Sequence, residues 1–175
     1  MSSSEEAVTH EHRIFENIDY SEKQLRNREF VNCRFVHCDF NKSDISGNDF
    51  ENCEFINCNF SMAILIGAGF RDATFTECKI LGVDFTTCNK FMFSFAFTKC
   101  HLDFSTFWGR NLKKTVFKDC TLKQTDFSEC DLSESAFLNC DMVDAVFSHT
   151  NLQKVDFRTA RNFSIDPDSN KLRKA

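Results

Sequence analysis

The sequence predicts an all-β solenoid in which the backbone winds around a square, twenty residues to the coil and about seven coils in all. Three observations carry this. Apolar residues recur at every fifth position, cysteines recur at every twentieth, and the residue two before each apolar centre is small. The chain has 175 residues, 42% of them hydrophobic, and a formal charge of −5, which suits one domain able to bury its own core. A single Pro and five Gly exclude collagen-like and linker-rich chains. No apolar run reaches the ~20 residues of a membrane span, so no membrane association is expected. Met1 to Val8 lacks the basic start and apolar stretch of a signal peptide, and a cytoplasmic protein is expected.

The five-residue rhythm runs from Phe15 through Tyr20, Leu25, Phe30, Phe35 and Phe40 to Phe85. It resumes two residues out of phase at Met92, Phe97, Leu102 and Phe107 and continues to Phe157. Of the 22 Phe, 17 hold this central position, all but Phe91, Phe93, Phe95, Phe104 and Phe163. A helix wants spacings of three and four and a flat strand wants two, so a strict five fits neither. A short extended piece followed by a corner does fit it. In the extended piece the residue two before the centre shares its inward face, while the residue between points out. The inward partners are small: Cys33, Cys38, Ser43, Cys53, Ala63, Ala73, Thr115, Ser135. The residues between are polar: Asp39, Asp44, Glu54, Asp84, Asp126, Asp156. The two residues after the centre turn the corner.

The cysteines measure the coil. Cys38, Cys58 and Cys78 are 20 apart, as are Cys100, Cys120 and Cys140, and the gap of 22 between Cys78 and Cys100 contains the same two-residue slip. Four pentapeptides therefore make one coil and stack the six thiols on one line. The same rule stacks Phe97, Phe117, Phe137 and Phe157 in a second column.

The triplets Cys38-Asp39-Phe40, Ala63-Ile64-Leu65, Ala73-Thr74-Phe75, Cys130-Asp131-Leu132 and Cys140-Asp141-Met142 resemble the repeat of the pentapeptide repeat proteins, A/C-D/N-L/F-x-x. The resemblance implies a right-handed quadrilateral β-helix, and the handedness rests on it alone. Residues 156–172 are similar to the end of the repeat domain in the quinolone-resistance subgroup, whose members bind DNA gyrase and topoisomerase IV as DNA-like acidic rods. The resemblance thus implies a protein partner, DNA gyrase or topoisomerase IV, and an effect on fluoroquinolone sensitivity. The alternative is a generic interaction scaffold with an unrelated partner. No large loop between coils and no dimerising helix before Ala175 are expected, the acids fall on all four faces, and both a monomer and an end-to-end dimer stay open.

Residues 86–96 break the rhythm. Cys88-Asn89-Lys90 keeps the frame but would centre an ammonium in the core, so Lys90 is expected to turn outward at a bulge. With Phe91 and Phe93 it forms one candidate partner-binding point. A second is the outward group Met62, Ile64, Ile66 and Trp108, and under DNA mimicry the outward acids Asp84 and Asp126 would engage the partner. The cysteines are expected to be core filler: no CxxC pair exists, and columns of parallel side chains seldom reach disulfide torsions. His37 and His101 face away from the adjacent Cys38 and Cys100, which argues against a nucleophile and base pair. No catalytic, cofactor or metal site is expected, and Lys113-Lys114 is too small a basic cluster for direct nucleic-acid binding. Residues 1–12 are expected to be flexible and 13–163 to form the solenoid. In 164–175, Asp166 before Pro167 predicts a short helical cap through Lys171.

Overall fold

Each side of the square ends in a left-handed residue, and this explains the fifth-position rhythm. In the computed structural model, which describes residues 7–173, Asn27, Asn32, His37 and Lys42 turn the corners of one coil. Gly47, Asn52, Asn57 and Met62 turn those of the next, and all eight φ values lie between 51° and 66°. The left-handed region is sterically costly for most side chains and least so for Gly and Asn, which recur at these corners. Between Gly82 and Lys99 no residue adopts it. There the rhythm slips.

The strands are β1 (Val8–Glu11), β2 (Ile14–Glu16), β3 (Arg28–Val31), β4 (Arg34–Val36), β5 (Asp49–Glu51), β6 (Glu54–Ile56), β7 (Gly69–Thr76), β8 (Phe93–Thr98), β9 (Val116–Lys118) and β10 (Ala136–Leu138). All pair in parallel. Face 1 stacks β1, β3, β5 and the start of β7; face 2 stacks β2, β4, β6, the end of β7, β8, β9 and β10. Register is one coil: Phe30 opposes Phe50, Phe35 opposes Phe55, and across the slip Phe75 opposes Phe97. Faces 3 and 4 are held by single bridges, such as Asp39 to Asn59 to Lys79 on face 3 and Thr106 to Asp126 to Val146 on face 4.

The core is a set of vertical columns. On face 2 the rings of Phe15, Phe35, Phe55, Phe75, Phe97, Phe117, Phe137, Phe157 and Phe163 stack at 4.7–5.3 Å, an unbroken pile that crosses the slip. Neighbouring columns meet edge to face, as Phe35 does with Phe40 at 5.8 Å. Offset stacks along a column and edge contacts between columns are the two arrangements that aromatic quadrupoles favour.

Three expectations are corrected. Residues 1–6 lie outside the described chain, but Val8–Glu11 is strand β1, and the His10 ring stacks on Phe30 at 5.0 Å, so the first coil starts before residue 13. Met92 is not a core centre. The backbone bulges between Phe70 and Ala73, and the buried Phe95 ring packs against Phe70, Phe75 and Phe85 instead. The segment after Pro167 is a turn rather than a helix. The Asp166 carboxylate accepts from the Asp168 N–H, the Asn170 amide donates to the Phe147 carbonyl at 3.0 Å, and Lys171 bridges Asn151. A helix would have left that carbonyl open; the turn continues the ladder.

Candidate interaction surfaces

The slot two before each centre has a task beyond being small. Where it carries a donor, its side chain in most coils donates to the carbonyl of a central residue in the coil below. Cys53 Sγ lies 3.3 Å from the Phe30 carbonyl, Thr125 Oγ1 3.1 Å from Leu102, Ser105 Oγ 2.8 Å from Ile80, and the Asn48 amide reaches Leu25. Cys38, Cys58, Cys78, Cys100, Cys120 and Cys140 form one column and donate in turn to Phe15, Phe35, Phe55, Phe75, Phe97 and Phe117. A thiol is apolar enough for the interior and still carries a weak donor. All ten cysteines are buried free thiols. Burial pushes Cys53, Cys88 and Cys130 up to about 12, so they stay protonated.

The outward acids are local braces. Asp39 accepts from the Asn41 N–H at 2.8 Å, Asp84 from Thr86 at 2.9 Å, Asp126 from Ser128 at 2.8 Å and Asp131 from Ser133 at 3.0 Å. These side-chain turns fix the approach to each corner. Three other carboxylates are held below their ordinary range by side-chain hydrogen bonds: Ser21 lowers Asp19, Asn162 of the next coil lowers Asp141, and Arg158 brings Asp156 to about 2.

Face 4 differs from the others. Between residues 43 and 149 its pentapeptides contain no Lys or Arg. Its outward column alternates Asp44, Ile64, Asp84, Thr106, Asp126 and Val146. Beside it stand Ile66 and Trp108, and at the corner with face 3 stand Met62 and Phe104, all at least 50% exposed. The structure therefore brings Met62, Ile64, Ile66, Trp108, Asp84 and Asp126 together on one side and adds Phe104, which the five-residue rhythm had left unplaced. Met62 and Phe104 occupy left-handed corners at φ 58° and 64°. Bulky side chains there are strained by ~1–2 kcal/mol relative to Gly. Between them Gly82 leaves the room, since a Cβ there would lie 2.9 Å from the Met62 sulfur.

The slip forms a second surface. Lys90 points outward as expected, Phe91 is 93% exposed, and Phe93 is half-buried. What holds them is Arg110, which pattern reading passed over. It fills the inward slot two before Leu112 and is only 5% exposed. Its Nε donates to the Phe85 carbonyl at 3.1 Å, the bond that Cys, Ser or Thr makes in other coils. Its Nη2 reaches the carbonyls of Thr86 and Cys88, and its guanidinium lies 5.0 Å from the centre of the Phe93 ring. In regular coils the N–H before the centre takes the carbonyl that Arg110 takes here from Cys88, as Asp131 does from Arg110. A large cation in a column of small residues was the signal. Lys90, Phe91 and Phe93 thus cluster at one corner, diagonal to the Met62 corner. Among the described residues no group of His, Cys, Asp and Glu is arranged to hold a metal.

A parallel four-sided coil with a five-residue repeat defines a class of β-solenoids, and direct comparison supports the assignment. Residues 53–89 match the family model described as pentapeptide repeats (8 copies), and residues 110–166 that of a pentapeptide repeat region. The chain belongs to the pentapeptide repeat family. Among solved structures it is similar to a trypsin-treated form of QnrB1, a plasmid-mediated fluoroquinolone resistance protein: 18% identity over 98% of this chain and 90% of that one, TM-score 0.47. It is also similar to HetL, involved in heterocyst differentiation regulation in the cyanobacterium Nostoc sp. strain PCC 7120, at 12% identity over 97% and 88%, TM-score 0.42. A pentapeptide repeat protein of the Arabidopsis thaliana thylakoid lumen shares 21% identity over 71% and 70%, TM-score 0.30. No curated protein matches the chain. Among the described residues no helix is long and apolar enough to cross a membrane.

Proposed function

We infer that the protein is a non-catalytic docking rod that presents face 4 to a protein partner. The observation that carries this reading is the mixture on that face: exposed Met62, Ile64, Ile66, Phe104 and Trp108 among carboxylates, with no Lys or Arg in its six successive pentapeptides and a single ion pair, Asp44 with Arg26 of the coil below. Exposed apolar groups gathered on one side mark interfaces. The partner surface complementary to it is basic and apolar. The ten unpaired thiols suit a reducing, cytoplasmic setting.

A type II topoisomerase is the second reading, favoured by the single sign of charge on face 4, since surfaces that bind DNA are basic. The spacing favours the first. Asp44, Asp84 and Asp126 recur in every second coil, ~10 Å apart at strand spacing. Duplex DNA carries one charge per ~1.7 Å, so face 4 is amphipathic rather than polyphosphate-like. A supercoiling assay with purified gyrase separates the two. No inhibition and no relief of fluoroquinolone poisoning at micromolar protein discards the topoisomerase. Under the docking reading, partner binding fails in Trp108→Ala and Ile64→Ser and survives in Lys118→Ala on face 2; equal loss in all three discards face 4.

A further inference from the structure

The slip leaves an open trough of about 860 Å³ at the corner of faces 1 and 2, next to Phe91. Its walls carry four cations, Arg71, Lys90, Lys113 and Lys114, and one carboxylate, Asp72. Asp72 is engaged, accepting from the Ser94 hydroxyl at 3.1 Å. Lys113 and Lys114 share the single carboxylate of Glu134 at 3.4 and 3.9 Å, and Arg71 has Glu51 at 3.5 Å. Among the described residues Lys90 has no ion-pair partner, and neither has Arg110, whose buried charge lies behind Phe93. A chain of net charge −5 therefore holds a local excess of positive charge in this trough.

We propose that this trough docks an acidic segment of a partner protein, with Phe91 as its apolar contact. The layout decides the ligand class. The cations come from three successive coils, so they are strung over ~10 Å along the rod instead of converging on one point. A lone phosphate needs converging donors, whereas an extended peptide sets same-side carboxylates ~7 Å apart, so two of them fit along a row of ~10 Å. Nucleic acid would meet the carboxylates of the surrounding surface. The site has the opposite sign to face 4 and lies across the rod from it, so one rod can hold two different partners.

The test uses the full chain and a fluorescein-labelled heptapeptide of six Glu and Asp around a central Phe, read by anisotropy. Saturable binding is expected, at least tenfold weaker for K113E/K114E and severalfold weaker for Phe91→Ser, with Trp108→Ala unchanged. A peptide with Gln and Asn for the acids should not bind. The proposal is overturned by any of four results: no binding, equal binding of the neutral peptide, retained affinity in K113E/K114E, or tighter binding of tripolyphosphate or a single-stranded oligonucleotide at the same site. Thermal melts establish that the variants are folded. Sedimentation at assay concentration must show a monomer; a self-associated chain whose contact is lost in K113E/K114E would make a second copy the occupant and refute the assignment.

Discussion

The coils before the slip and those after it are built on the same corners but fill their interior differently. Before it, Phe stacks on faces 1, 2 and 3 and aliphatic Leu25, Ile45 and Leu65 on face 4; after it, Phe stacks on faces 2 and 4 and Leu112, Leu132 and Leu152 on face 1. The exchange begins with Ile80 and Phe85 in the coil below the slip and ends at the slip. Phe70 ends the column of face 1 against Phe95, and Phe85 opens that of face 4 by stacking on Phe107 at 4.4 Å. On face 2 ring packs on ring throughout, whereas face 3 passes from Phe60 to Ile80 and face 4 from Leu65 to Phe85 in the coil just below the slip. Only face 1 changes across the interruption itself, where the two extra residues and Arg110 fit Phe95 over Phe70 before Leu112 takes over.

The largest effect expected from breaking this comparison is in the core. Phe55→Ala should cost ~4 kcal/mol in urea unfolding. Phe117→Ala should cost ~1 kcal/mol less, because Phe55 meets Phe40, Phe50, Phe60 and Phe70 obliquely, and Phe117 meets only Phe107 and Phe127. Equal losses would mean that the edge contacts add nothing. Next, Arg110→Met should cost ~3 kcal/mol by leaving the carbonyls of Thr86 and Cys88 without a donor and that of Phe85 with the Cys88 N–H alone. Amide exchange should then quicken across residues 85–96 before any other coil opens, and a neutral substitution would show that the seam is not held by this residue.

Met62→Asn should raise stability by ~1 kcal/mol, since Asn accepts the left-handed corner more readily, while weakening binding at face 4. A stabilised variant with unchanged binding would remove Met62 from the interface. The smallest effect is acid sensitivity. Asp19, Asp141 and Asp156 are depressed in the fold, so their stabilisation is complete above the ordinary carboxylate range and is lost as pH falls through the folded values. Circular dichroism should show a plateau at neutral pH and loss between about pH 4 and 2. Because the braces occur on both sides of the slip, both halves should go together; a half that persists below pH 2 would contradict this.

Much of the fold was legible because a repeat multiplies weak signals. The 20-residue coil, the thiol line, the Phe column of face 2 and the outward Lys90 all follow from spacing. Met92 was misplaced because rhythm alone ranks it above Phe95, and only packing shows which ring fills the gap. Asp166-Pro167 carried a helix signal that was overridden by the open carbonyl of Phe147. Of the surfaces, exposure of Ile64 and Trp108 followed from alternation, but Phe104 and Arg110 are exceptions to the repeat, and a pattern assigns no place to its exceptions.

The sequence by itself determined the winding. Side-chain size and chirality at five positions leave the backbone one way to keep burying Phe and Leu while turning a corner, and that argument is local. The tertiary structure decided how the slip is resolved, where Arg110 sends its charge, and that Asp84 and Asp126 share face 4 with exposed apolar groups while lysines gather at the opposite corner. Those are relations between coils twenty residues apart, fixed by hydrogen bonds and packing across the stack.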